Sequence, residues 1–350
     1  EGASLADTNL DSESKKISIE QKIFSGFKGL NTFKKSELEV QKANLSLKKI
    51  EQQTILDTAS AYFDLIFKNK NEEFNLLNVN LFRRQVDSDS ARVQKGEITL
   101  TDLAQSESSL AGARANLIKA NTELLTSKTN FERVTREKSP DITILNVQAL
   151  ISLPSSLDES LKLADVKNID LLISKLDYEI AVKDLNIERA RLSPSASLNY
   201  SKSENSDFSS TVDEVDQETV KATITWPILK GGENISSIKK SLYKKEKYQL
   251  ILKDTKNRIN TEIYNAWSKY QSSKSVLEAT RAQLRAAEIA NEGITLEYDS
   301  GNTRTTLELI QSRSLLLNAR IDFAKSERDF IVSQFELAQQ IGSLSIKSIK

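Results

Sequence analysis

Residues 91–108 read "ARVQKGEITLTDLAQSES" and residues 297–314 read "EYDSGNTRTTLELIQSRS". Each stretch holds one Gly, then a Thr-rich turn, an acidic residue, a Leu and a Gln-Ser pair. The likeness extends outward. "IFSGF" at Ile23–Phe27 aligns with "ILKGG" at Ile228–Gly232, an offset of 228 − 23 = 205. The same offset pairs Gly26 with Gly231, Ala61 with Ala266, Tyr62 with Trp267 and Gly96 with Gly301. One inserted residue, assigned to Asn302, moves the offset to 206. It then pairs Gln105-Ser106 with Gln311-Ser312 and Ala113-Arg114 with Ala319-Arg320. A register held this far with one indel marks an internal duplication. Its unit, about 200 residues, is far too long for a solenoid repeat.

Composition narrows the chemistry. The chain has 350 residues, with 49 basic against 49 acidic, so no overall field points to nucleic acid. Cys and His are both absent. That removes thiolate chemistry, the usual general base and the commonest metal ligand. No Gly-rich phosphate loop or metal-ligand spacing occurs, so neither an enzyme nor a cofactor is expected. Met is absent even at position 1, and the chain is expected to be a processed or truncated product. It contains no run of 18 apolar residues, so no transmembrane helix is expected. Only 10 Gly and 4 Pro interrupt it, which favours long helices.

From Lys230 to Glu297 there is no Pro. One continuous helix here would be about 100 Å long and would need a coiled-coil partner. The seam is legible. Leu252, Ile259, Ala266, Ser273, Thr280, Ala287 and Ile294 recur every seven residues, and Ile263, Tyr270, Leu277 and Leu284 recur four residues later in each heptad. Small residues in the first series let neighbouring helices approach closely.

Residues 193–229 change period. "SPSASLNYSKS" sets Ala196, Leu198 and Tyr200 against Ser197, Asn199 and Ser201. "TVKATITWPIL" sets Val220, Ala222, Ile224 and Trp226 against Thr219, Lys221, Thr223 and Thr225. With "ENSDFSSTVDEVDQ" as an acidic loop between them, these are two strands of roughly 10 residues, the length and alternation of transmembrane β-barrel strands. Shifting by 205 makes "KISIEQKIF" (Lys16–Phe24) the second strand of a first hairpin, whose partner would precede residue 1. "EGASLADTNLDSESK" is then the remnant of its acidic loop.

Taken together, "QKIFSG", "LDTASAYFDL", "VQKGEITLTDLAQSES", "LSPSASLNYS", "TITWPILKGG" and "YDSGNTRTTLELIQSRSLLLNAR" resemble the TolC-like outer-membrane factors. These are the exit ducts of Gram-negative tripartite efflux pumps and type I secretion systems. The resemblance spans residues 16–345. It implies a mainly α fold with a small β part: a homotrimer sharing a twelve-stranded outer-membrane β-barrel, with paired helical hairpins forming a periplasmic α-barrel. It also implies outer-membrane lipid, a periplasmic adaptor and an inner-membrane transporter as partners.

The expected organisation is a first repeat over 1–139, with a strand at 16–24 and a helical hairpin at 25–138 turning near 96–101. An equatorial linker follows at 140–157. The second repeat, 158–345, carries helices at 158–192, a β-hairpin at 193–229 and a helical hairpin at 230–341 turning near 298–306.

At the tips, Gly96 and Gly301 are expected to free the backbone where one helix stops, with Thr101 and Thr306 as caps of the next. The resemblance implies a periplasmic gate of Thr101, Asp102, Tyr298 and Arg304, with Tyr298 and Arg304 bound to Asp102. It also implies a pore constriction at Glu308 and Gln311, where three Glu308 carboxylates would have raised pKa values and favour cations. The alternative is a periplasmic adaptor or structural coiled coil. Against it stand the amphipathic hairpin and the duplication.

Overall fold

A computed structural model describes residues 13–140, 151–209, 212–228, 230–300 and 304–346. The start of the chain, most of the linker at 140–157, Gly301 and Asn302 lie outside the described residues. The elements run β1 (Glu13–Ser25), α1 (Lys28–Gln94), α2 (Leu100–Thr135), α3 (Leu157–Lys167), α4 (Ile169–Arg189), a short 3-10 turn, β2 (Ser195–Ser209), β3 (Val212–Thr225), α5 (Glu233–Asp299) and α6 (Thr306–Ile341).

The duplication is written into these bounds. Helices α1 and α5 each have 67 residues, and α2 and α6 each have 36. The offset at the end of the long helices is 299 − 94 = 205, and at the start of the next pair it is 306 − 100 = 206. The inserted residue therefore falls in the turn between α5 and α6.

The chain divides into two compact units: Glu1–Leu45 with Ile173–Thr255, and Ser46–Leu172 with Lys256–Lys350.

The first unit holds an antiparallel sheet in the order β1-β2-β3. Cross-strand rows sort its faces. Ile19–Tyr200–Val220, Gln21–Leu198–Ala222 and Phe24–Ala196–Ile224 form one face. Ser18–Ser201–Thr219, Glu20–Asn199–Lys221 and Lys22–Ser197–Thr223 form the other. The register skips Ile23, a bulge that brings Phe24 onto the apolar face. Strands β2 and β3, with 15 and 14 residues, run well into the expected acidic loop. Antiparallel pairing satisfies the backbone whatever the side chains are, so the polar stretch stays in the ladder.

Below the sheet, Gly26 turns the chain into α1 with φ +61°, hard against Ser193 and the Ala190 carbonyl. Asp184 of α4 binds Lys35 of α1 and Lys244 of α5, both at 2.8 Å. Burial works to raise the Asp184 pKa, but the two lysines outweigh it and hold the carboxyl below its ordinary range.

The second unit carries the apolar packing. Phe63 and Ile66 of α1 meet Ile331, Phe335 and Ala338 of α6 in one cluster. Val79 and Phe82 of α1 meet Leu110 and Ala113 of α2 and Ile310 of α6 in another. The small-residue seam behaves as its heptads imply. Ser273 of α5 pairs hydroxyl to hydroxyl with Ser333 of α6 at 2.8 Å, and Thr280 with Ser326 at 2.7 Å. In each pair one hydroxyl can donate across the seam while the other donates to a carbonyl of its own helix, so close approach leaves neither hydroxyl unpaired.

Candidate functional site

The two hairpin turns lie in the second unit. The first is closed by backbone geometry. Gly96 has φ +73°; its N–H donates to Val93 O, and Glu97 N–H donates to Arg92 O, both at 2.9 Å. This is a Schellman ending, and Gly is the residue that adopts it without strain. Helix α2 then starts with a capping box. Asp102 N–H donates to Thr99 Oγ1 at 3.2 Å, and Thr99 N–H donates to Asp102 Oδ2 at 3.0 Å. Helix α6 starts the same way with Thr305 and Glu308.

The caps are therefore Thr99 and Thr305, not Thr101 and Thr306. A cap must stand three residues before the acidic member of its box, and 102 − 3 and 308 − 3 give these two positions. Thr101 is exposed on the first turn of α2. Thr306 is buried, its hydroxyl 3.3 Å from the Tyr298 oxygen.

Beneath the turns lies a polar network that joins all four helices. Its centre is Asp89 of α1, fully buried at 0% exposure. Its carboxylate accepts from Ser106 Oγ of α2, from Tyr298 OH of α5 at 2.9 Å and from Gln85 Nε2 at 2.9 Å. Gln85 Nε2 also donates to the Tyr298 oxygen at 3.1 Å, and Gln85 Oε1 accepts from Arg313 Nη1 of α6 at 3.1 Å. The Arg92 guanidinium lies 5.0 Å from the centre of the Tyr298 ring.

A carboxylate taken out of water is tolerated only when such bonds replace its hydration. Burial raises the Tyr298 pKa above its ordinary value, so its hydroxyl stays a donor at neutral pH. Burial likewise lowers that of Arg313.

Tyr298 thus reaches a carboxylate on the first hairpin, but that carboxylate is Asp89 and not Asp102. The reason is local. Asp102 is already committed to the cap at Thr99, whose hydroxyl and N–H hold its carboxyl below the usual range. Arg304 does not bond Asp102 within the chain either. It pairs with Glu297 at 2.6 Å and Glu308 at 3.0 Å. The Glu308 pKa is lowered rather than raised in the single chain, first by the Thr305 N–H and then by Arg304. Glu308 and Gln311 do come together, lining a groove of about 430 Å³ with Ala286, Ala287 and Ala290.

Asp89, Gln85 and Arg313 were not singled out from sequence. A signal existed for Asp89, which stands seven residues after Phe82 and fourteen after Asn75, both buried. An Asp on a seam position needs partners. Tyr298 likewise extends the Ile263, Tyr270, Leu277 and Leu284 series by two heptads.

A family model described as outer membrane efflux protein matches residues 2–135 and 161–343. The chain belongs to the outer membrane efflux protein family. It is 24% identical over 330 residues to the outer membrane efflux protein BepC of Brucella suis biovar 1, covering 94% of this chain and 72% of that one. It is 23% identical to the outer membrane protein TolC of Vibrio cholerae serotype O1, covering 90% and 73%. Among solved structures, that of CusC superposes with a TM-score of 0.82 at 15% identity, covering 95% of this chain and 78% of that one.

This outer membrane efflux protein accordingly has the fold of the TolC-like channels: helical hairpins continuous with outer-membrane β-strands. It is a channel protein of the outer membrane that extends into the periplasm, and not an enzyme.

Proposed function

We propose that the chain is one protomer of a homotrimeric exit duct, opened at its periplasmic tip by an inner-membrane transporter acting with a periplasmic adaptor. One observation carries this reading. One face of the sheet exposes large apolar side chains, with Ile17 at 67%, Ile19 at 61%, Val220 at 67% and Ile224 at 77%, while among the described residues its outer strands pair on one side only. Open sheet edges do not persist in a bilayer. Closure into a barrel then comes from further copies of the chain.

The gate belongs at the hairpin tips. Asp89 and Tyr298 fasten the two hairpins of each protomer. Thr101, Asp102 and Arg304 ring the entrance across protomers, with Glu308 and Gln311 at the constriction. Opening separates the hairpins at the tip and exposes the Asp89 network to water.

Native mass spectrometry of the detergent-solubilised protein tests the assembly. A trimer mass is the expected result, and a stable monomer in detergents that preserve membrane oligomers overturns the reading.

A further inference from the structure

Where the sheet passes into the helices, the first unit borders an open cavity of about 830 Å³. Its lining includes Lys22, Lys28, Arg191 and Lys230, together with the hydroxyl residues Ser25 and Thr225, and no Asp or Glu. Lys22 stands in the row with Ser197 and Thr223, and Ser25–Ser195–Thr225 is the next polar row. The cavity therefore opens on the polar face of the sheet, away from the apolar rows.

The charge there is only partly offset. Arg191 is engaged by Glu188 at 2.9 Å and by Glu233 at 3.9 Å. Lys22, Lys28 and Lys230 form no ion pair among the described residues. Helix α1 begins at Lys28 with no acidic residue in its first turn, so the positive end of its dipole adds to the lysines. Further along the same face, Lys16 and Lys221 outnumber Glu20.

We propose that this cavity is an anion-binding vestibule on the inner wall of the duct, taking phosphate- or carboxylate-bearing solutes. The inference rests on the duct reading above, since the polar face of the sheet must be the inner wall. Three copies would set a cationic ring where the β-barrel meets the helices. A cleft lined by one sign of charge concentrates solutes of the other.

The test uses the assembled trimer in planar bilayers under a KCl gradient, unmodified and as the triple variant Lys22→Gln, Lys28→Gln, Lys230→Gln. Inositol hexakisphosphate is added from the barrel side. In the unmodified protein it should block the current. In the variant, with trimer mass retained, half-block should need roughly tenfold more probe, and the reversal potential should shift toward cation preference. Equal block of both proteins, or of neither, overturns the vestibule and leaves the duct standing.

An unmodified trimer with no conductance overturns the duct reading and the vestibule with it. Vesicles containing phosphatidylglycerol supply the remaining arm. If the variant loses vesicle binding while block is unchanged, the lysines serve a lipid headgroup and the inner-wall assignment is wrong.

Discussion

The two helical hairpins are copies of one unit, yet their tips are wired differently. Both have a long helix, a short turn and a Thr-x-x-acid capping box. At the first tip, Asp102 serves its own cap. At the second, Glu308 serves its cap and also Arg304, which reaches back to Glu297 at the end of α5. The larger difference is buried. Position 89 + 205 = 294 is Ile and position 298 − 205 = 93 is Val, so the Asp89–Tyr298 bond has no counterpart in the other copy. Duplication supplied two interchangeable hairpins, and substitution at seam positions made one the acceptor and the other the donor. Equal backbones thus became a directed pair, which is what a latch between them requires.

The largest effect should come from removing the acceptor. Asp89→Ala leaves the Ser106 hydroxyl, the Tyr298 hydroxyl and one Gln85 proton without their buried partner. It should cost about 3 kcal/mol and raise hydrogen exchange at residues 85–106 and 295–306. Ile294→Ala, at the matching half-buried position, should cost about 2 kcal/mol and leave exchange on the first hairpin unchanged. Equal exchange in the two variants would break the comparison.

A second pair of duplicated positions sharpens it. Gly26 and Gly231 both have positive φ, +61° and +54°. A methyl at Gly26 would lie 2.5 Å from Ser193 Cβ and 2.9 Å from the Ala190 carbonyl oxygen, whereas Gly231 faces open space. Gly231→Ala should cost about 1–2 kcal/mol from backbone strain alone. Gly26→Ala should cost clearly more in thermal unfolding.

Next come the caps. Thr99→Ala and Thr305→Ala should each cost about 1 kcal/mol, read as faster exchange in the first turn of α2 or α6. Smallest is Arg304→Ala, whose exposed pairs should leave the unfolding temperature unmoved in high salt.

The response to pH separates the two junctions. The folded pKa of Asp102 is depressed from its ordinary 3.8, so its contribution is present above that value and is lost as pH falls through the lowered one. The folded pKa of Tyr298 is raised from its ordinary 10.0. Its contribution is present below that value and is lost as pH rises through the raised one. Protection of the amides at the first cap should therefore fall in acid, and protection across the Tyr298 junction should fall in strong base.

Much of this was legible in the sequence. The 205 offset, its single indel, the α5 heptads and the alternation of β2 and β3 come from side-chain period, which packing directly enforces. The extent of β2 and β3 was not, because backbone pairing continues after the alternation ends. The caps lie two residues before the expected Thr101 and one before the expected Thr306, since several Thr stand in each turn and only the spacing to the acid discriminates. The partner of Tyr298 was missed for a different reason. Asp102 is what the resemblance implies, whereas the seam spacing of Asp89 and the Thr99-to-Asp102 box spacing both point the other way, and the structure shows Asp102 occupied by Thr99 and Asp89 buried on the seam.

The most direct test of the account is the single-channel conductance of the assembled protein in a planar bilayer, unmodified against Tyr298→Phe. That change deletes one hydroxyl and keeps the ring under Arg92. If the Asp89–Tyr298 bond helps to hold the tips together, the unmodified duct should show a small conductance that rises in the variant. An unchanged conductance in a verified trimer would contradict the latch.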